Sequence, residues 1–249
     1  MAPPKRHYTI SIFTRNTSQV SSVHLLRESL RATSPRPFIA RGANAKRCDR
    51  CLIALEHCVC ATLTEQTSPL QFVLLYHISE IFKPTNSGRL IADIFPDQTQ
   101  AFLWHRTTPC DGFQQFLTRH AHEAVILYPL TEARSSSQCY IEPATQLLGI
   151  NKRFVIVLDA SWRQASKMLH QSRYMDSIPS YGIHPNSQRT FLARHAKHDH
   201  QLATAEVVAM LLHEQQAEAP SLALQHAYQA FNQASLTTRG RHHISVAIT

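Results

Sequence analysis

From residue 69 onward, short apolar runs rich in branched side chains alternate with longer stretches of helical spacing. Leu70–His77 reads as a strand, Asn86–Phe95 as a helix, and Ala101–His105 as a strand. Gly112–His122 reads as a helix, Ala124–Tyr128 and Arg153–Leu158 as strands, and Ser161–Tyr174 as a helix. A short strand near Ile178–Ile183 precedes two further helices, Ala203–Glu214 and Ser221–Ser235. This alternation predicts an α/β fold: a mostly parallel sheet with helices on both faces. Ahead of it only Val23–Arg31 has helical character, and the first ~20 residues lack the period of a packed element and read as disordered. The expected division is a basic arm (1–40), a cysteine module (41–68), an α/β domain (69–238) and a tail (239–249).

The run Phe154-Val155-Ile156-Val157-Leu158 stops at Asp159, followed by Ala160, Ser161 and Trp162. Ligands of open α/β sheets collect at the carboxyl ends of strands, so Asp159 stands where a catalytic or ligand-holding group belongs. A helix cap is the competing reading of the same residue. Ser161 and Gln164 have the spacing of a capping box, which starts a helix just past Asp159. Trp162, Ala165, Met168 and Leu169 then recur at helical spacing, so Trp162 reads as a core anchor rather than a base-stacking platform. In Lys83-Pro84-Thr85-Asn86-Ser87-Gly88-Arg89, the proline disfavours helix at Lys83, and the polar residues after it suit a helix start. Lys83 and Arg89 bracket that start, where free amides favour an anion; a capped loop with a Glu80–Lys83 pair is the plainer alternative. Tyr128-Pro129 closes another strand. Glu206, in Thr204-Ala205-Glu206, is accounted for by the dipole of the helix it opens.

Composition adds a partner and a metal. The 249 residues carry a net charge of +8, which points to an anionic partner, nucleic acid foremost. Residues 1–47 hold nine Lys and Arg against the single acid Glu28. Such a segment reads as an arm touching RNA backbone in preference to a transit peptide. No apolar run nears the ~20 residues needed to span a bilayer. Cys48, Cys51, Cys58 and Cys60 crowd together, with no secretory signal to favour disulfides. Four thiolates at this spacing suit structural Zn2+, with an iron–sulfur cluster as the alternative and His57 as a spare ligand. Arg41, Lys46, Arg47 and Arg50 would surround such a knuckle with positive charge. Cys110 and Cys139 read as isolated thiols, and the His195/His198/His200 and His242/His243 groups as solvated surface.

The cysteine set, the Lys83–Gly88 loop, Tyr128-Pro129, Asp159-Ala160-Ser161-Trp162 and Thr204-Ala205-Glu206 occur in an order that resembles the DTW-domain family. The likeness is to its bacterial tRNA-uridine aminocarboxypropyltransferases, over about Arg31–Phe231. It includes Arg36-Pro37-Phe38-Ile39-Ala40-Arg41-Gly42. The resemblance implies a fold related to the SPOUT class of RNA-modifying enzymes, with a C-terminal trefoil knot. It implies transfer of the 3-amino-3-carboxypropyl group of S-adenosylmethionine to N3 of a uridine in the tRNA variable loop. It further implies Asp159 as the catalytic residue, acting as base or orienting the uracil edge. S-adenosylmethionine is expected to meet Leu127, Tyr128, Pro129, Leu158, Ser161, Trp162, Thr204 and Glu206. Arg41, Arg47, Lys83, Asn86, Arg89 and Arg173 are the expected tRNA contacts. A cytoplasmic monomer or homodimer is expected. Ala160 and Ala203 depart from the residues common at those positions, which makes Ala203's position a poor catalytic candidate. A SPOUT methyltransferase and a non-enzymatic zinc-knuckle RNA-binding protein are the rival readings.

Overall fold

The computed structural model of the chain describes residues 20–34, 46–128, 140–183 and 202–239. Six strands form one parallel sheet: β1 (Gln71–Tyr76), β2 (Thr99–Leu103), β3 (Ala124–Leu127), β4 (Tyr140–Ile141), β5 (Phe154–Asp159) and β6 (Ser180–Tyr181). Their spatial order is β2-β1-β5-β3-β6-β4. The all-apolar runs explain the arrangement, because a strand buried on both faces needs no polar alternation. β5 lies between β1 and β3, with Tyr76 opposite Asp159 and Leu127 opposite Val157. Asp159 therefore ends a central strand.

Successive side chains point to opposite faces of a strand. Phe72, Leu74, Val155 and Val157 face one core; Val73, Leu75, Ile126, Ile156 and Leu158 face the other. Helices α1 (Ser22–Thr33), α2 (Gly88–Ile94), α5 (Thr204–Glu214) and α6 (Glu218–Thr238) cover the first core. Helices α3 (Asp111–His120) and α4 (Trp162–Gln171) cover the second. Side chains of the cysteine segment join the first core through Cys51, Ile53 and Val59.

Some expected boundaries move, each for a visible reason. β2 begins at Thr99, whose hydroxyl donates to the Phe95 carbonyl (2.8 Å), and ends before Trp104. The helix after Asp159 stops at Gln171, and a separate 3-10 turn covers Arg173–Met175. α6 starts three residues early because Pro220 sits in its first turn, where a missing N–H costs no hydrogen bond. The pair β4–β6, two residues each, is too short to leave an apolar period. The arm before residue 20, Cys139, both histidine groups and the tail from residue 240 lie outside the described residues. The described residues do not establish a knot, since 129–139 and 184–201 are not among them. Among the described residues no helix is long and apolar enough to cross a membrane.

Candidate functional site

Odd-numbered residues of β5 face the α2 side, and Asp159 follows that alternation. Asp159 is 2% exposed. Asn86 donates from Nδ2 to Oδ1 at 2.6 Å, while Oδ2 is buried with no hydrogen-bond partner. The Tyr76 hydroxyl donates to Asn86 Oδ1 (3.4 Å), which also accepts the Arg89 backbone N–H (3.3 Å). Gly88 closes the site from above. A Cβ there would stand 1.6 Å from Asp159 Oδ2 and 2.9 Å from the Tyr76 hydroxyl, so only glycine lets α2 approach this closely.

Burial is the main force on the Asp159 pKa, raising it to about 7; Glu80 raises it further, and the Asn86 hydrogen bond and Arg89 charge oppose. A carboxyl so shifted is partly protonated near neutral pH, where an exposed aspartate is ionised. Burial, then the Asp159 charge, pushes the Tyr76 hydroxyl well above its usual range, so it stays a donor.

The Lys83–Arg89 loop is tied inward. Arg89 is 2% exposed. Its Nε donates to the Asn86 carbonyl (2.9 Å), Nη1 to the Cys51 carbonyl (2.8 Å) and Nη2 to the Lys83 carbonyl. Its guanidinium also lies over the Phe231 ring, 5.9 Å from the centroid. The expectation that Arg89 and Asn86 contact tRNA is therefore corrected: both are interior, their donors committed to carbonyls and to Asp159. Ser87 Oγ accepts the Ala205 backbone N–H (3.3 Å), so the Thr204-Ala205-Glu206 segment docks on the same loop.

On the other flank, Gln164 Oε1 accepts both the Ser161 N–H (3.1 Å) and its hydroxyl (2.6 Å). Gln164 Nε2 reaches across to His77 Nδ1 (3.2 Å) and Ser79 Oγ (3.0 Å). His77 extends β1 by one residue, its N–H donating to the Asp159 carbonyl (3.0 Å). Its ring stacks on Trp104 (centroids 5.7 Å apart), and Trp104 Nε1 donates to Ser172 Oγ (2.8 Å). His77, Trp104 and Tyr76 were not singled out from the sequence. His77 carried the signal that marked Asp159, a polar residue ending an apolar strand; Trp104 carried none.

The remaining expected residues scatter in exposure. Leu127, Tyr128 and Leu158 are buried at strand ends. Ser161 is exposed, and Trp162, Thr204 and Glu206 are half-buried. Trp162 is packed against neither core, which corrects its reading as an anchor: it occupies the first helical position of α4, at the lip of the sheet. Glu206 accepts the Ala203 N–H at 2.7 Å, and burial raises its pKa. Lys83 pairs with Glu80 (2.5 Å), Arg47 donates to the Leu52 carbonyl (3.0 Å), and Arg173 is exposed beside Asp176 (3.2 Å). Arg41 and Pro129 lie outside the described residues.

The sulfur atoms of Cys48, Cys51, Cys58 and Cys60 all lie within 4.8 Å of one another, with Cys48–Cys60 and Cys51–Cys58 at 3.7 Å. Tetrahedral zinc with Zn–S bonds of ~2.3 Å requires sulfurs about 3.8 Å apart, so the set fits a metal ion. The Cys51 thiol is pushed down to about 5, chiefly by the hydrogen bond from Cys60, with the Ile53 and Val59 N–H groups contributing. A thiolate is the form a metal needs. His57 pairs with Glu56 (3.6 Å) and is not part of the set.

No solved structure matches the chain. The family model for the DTW domain matches residues 45–236, which spans the cysteine set, the Asn86 loop, Asp159 and the start of α5. The chain belongs to the DTW-domain family.

Proposed function

We propose that the protein is a tRNA-modifying transferase that moves the 3-amino-3-carboxypropyl group of S-adenosylmethionine onto N3 of a uridine in the tRNA variable loop. In that reaction a bond forms between N3 and the γ-carbon, and the γ-carbon–sulfur bond breaks. The electron pair stays on sulfur in 5′-methylthioadenosine, and the N3 proton is lost to solvent. Family membership supports the tRNA-modifying class. The observation that carries the reading is the convergence on Asp159, where the Asn86 loop, the end of β1 and, through Ser87, the start of α5 are joined by hydrogen bonds.

Asp159 is the centre of this site, and its burial favours an orienting role over that of an exposed base. By holding Asn86 it sets the loop that forms one wall of the site at the carboxyl ends of β1, β5 and β3. The exposed Ser161, the half-buried Trp162 and the Thr204–Glu206 segment border the site beyond that loop, with the α4 start suited to the co-substrate's carboxylate. Choice of the γ-carbon over the methyl group is a matter of how the co-substrate is bent there. Lys83, Arg173 and the flank of the cysteine module at Arg47 supply positive charge for tRNA phosphates, and Zn2+ at the four cysteines holds that module's shape. Incubating purified protein with tRNA and S-adenosylmethionine tests the reading. Methylthioadenosine is the expected by-product; S-adenosylhomocysteine alone would make the protein a methyltransferase, and neither would leave it an RNA-binding protein.

A further inference from the structure

The imidazole of His77 is held in one tautomer. Three groups face Nδ1: the Ser79 backbone N–H (3.2 Å), the Ser79 hydroxyl (2.9 Å) and Gln164 Nε2 (3.2 Å). The first is a donor by necessity. Gln164 is oriented as a donor too, because its oxygen accepts the Ser161 N–H (3.1 Å). Nδ1 is therefore the acceptor, and the proton sits on Nε2. Burial, with the Lys83 charge, lowers the ring's pKa against the opposing pull of Glu80, so the neutral form prevails at pH 7. Nε2 has no protein partner among the described residues. The ring is half-buried, stacked on Trp104 and one residue past the strand partner of Asp159. A fixed, neutral N–H donor at the lip of a parallel sheet is the arrangement that stabilises charge growing on a carbonyl oxygen.

We infer that His77 presents its Nε2–H to a carbonyl oxygen of the target uracil, a catalytic role that rests on the proposed transfer. As N3 loses its proton, negative charge spreads to the flanking O2 and O4. A donor on either oxygen favours the imidate that attacks the sulfonium. His77 gives up no proton; the N3 proton leaves to solvent, and the donor strengthens only as charge develops. Ser79 and Gln164 are positioning residues that set the tautomer.

Two measurements test this. 15N NMR of the labelled protein reads the His77 tautomer without any reaction; Nε2–H is expected, and Nδ1–H would overturn the inference. The second compares His77→Phe, which keeps the stack on Trp104, with His77→Gln, which restores a side-chain N–H. His77→Phe is expected to lower kcat about 100-fold. Its tRNA affinity should stay at the wild-type value while its melting temperature falls modestly, because the Ser79 N–H loses its acceptor at Nδ1, and His77→Gln should recover at least a tenth of the wild-type rate. Wild-type turnover by His77→Phe, or no rescue by glutamine in a folded protein, overturns the role. If wild-type protein forms no methylthioadenosine, the proposed function fails while the tautomer measurement still stands or falls by itself.

Discussion

At the scale of single residues, Asp159 explains its neighbours. Gly88 has no Cβ because the carboxyl occupies that space, and Asn86 is turned inward because Oδ1 needs a donor. The buried carboxyl has a stability consequence whose sign follows from its pKa. A folded-state value of about 7, above an unfolded value near 3.8, means that the folded protein holds this proton more tightly. The stabilising contribution is complete below the unfolded pKa and is lost as pH rises through about 7. The span corresponds to roughly 4 kcal/mol at most. Urea unfolding of wild type and Asp159→Asn across pH 4–8 checks it: wild type should lose stability relative to the variant as pH rises. A difference that stays flat would mean the carboxyl is not buried as described. Asp159 was legible in the sequence as a strand-end acid. Its lid was not, because Gly88 and Asn86 lie more than seventy residues away and only the sheet order brings them over β5.

At the scale of elements, the start of α2 is the joint of the molecule. Arg89 fastens the carbonyls of Cys51, Lys83 and Asn86, so one side chain links the cysteine module to the loop that holds Asp159. Arg89→Leu leaves three carbonyls without their donor and should cost about 3 kcal/mol or more in urea unfolding. Arg89→Lys should recover only part, having no planar fork. Removing the Zn2+ proposed for the four cysteines should act on the same joint. Cys51, Ile53 and Val59 belong to the main core, so chelation should lower the melting temperature of the whole domain, with one zinc released per chain. The alternation of strands and helices was readable because it follows apolar period. Arg89 was misread as a phosphate contact because a basic residue at a helix start looks the same from sequence whether it faces water or three carbonyls. Trp162 was misread for a related reason: helical spacing with Met168 and Leu169 does not tell that the first position of the helix lies past the carboxyl end of β5.

For the whole molecule, the net charge of +8 is the feature no single element explains. If tRNA is the partner, its affinity should fall steeply with salt. With several phosphate contacts the loss between 50 and 200 mM is of order 100-fold or more, readable by fluorescence anisotropy. An affinity indifferent to salt would argue against a backbone-led interface. The charge was legible from composition; its placement was not, since the exposed Arg173 and the half-exposed Lys83 each lie beside an acid, Asp176 and Glu80.

The central claim is that the group transferred is aminocarboxypropyl, and isotope labelling of the co-substrate tests it most directly. S-adenosylmethionine carrying one label in its amino-acid carbons and a different label in its S-methyl group is incubated with protein and tRNA. The tRNA is then digested and its nucleosides weighed by mass spectrometry. The expected result is the amino-acid label on a uridine and the methyl label in released methylthioadenosine. The methyl label on the nucleoside, or neither label there, would contradict it.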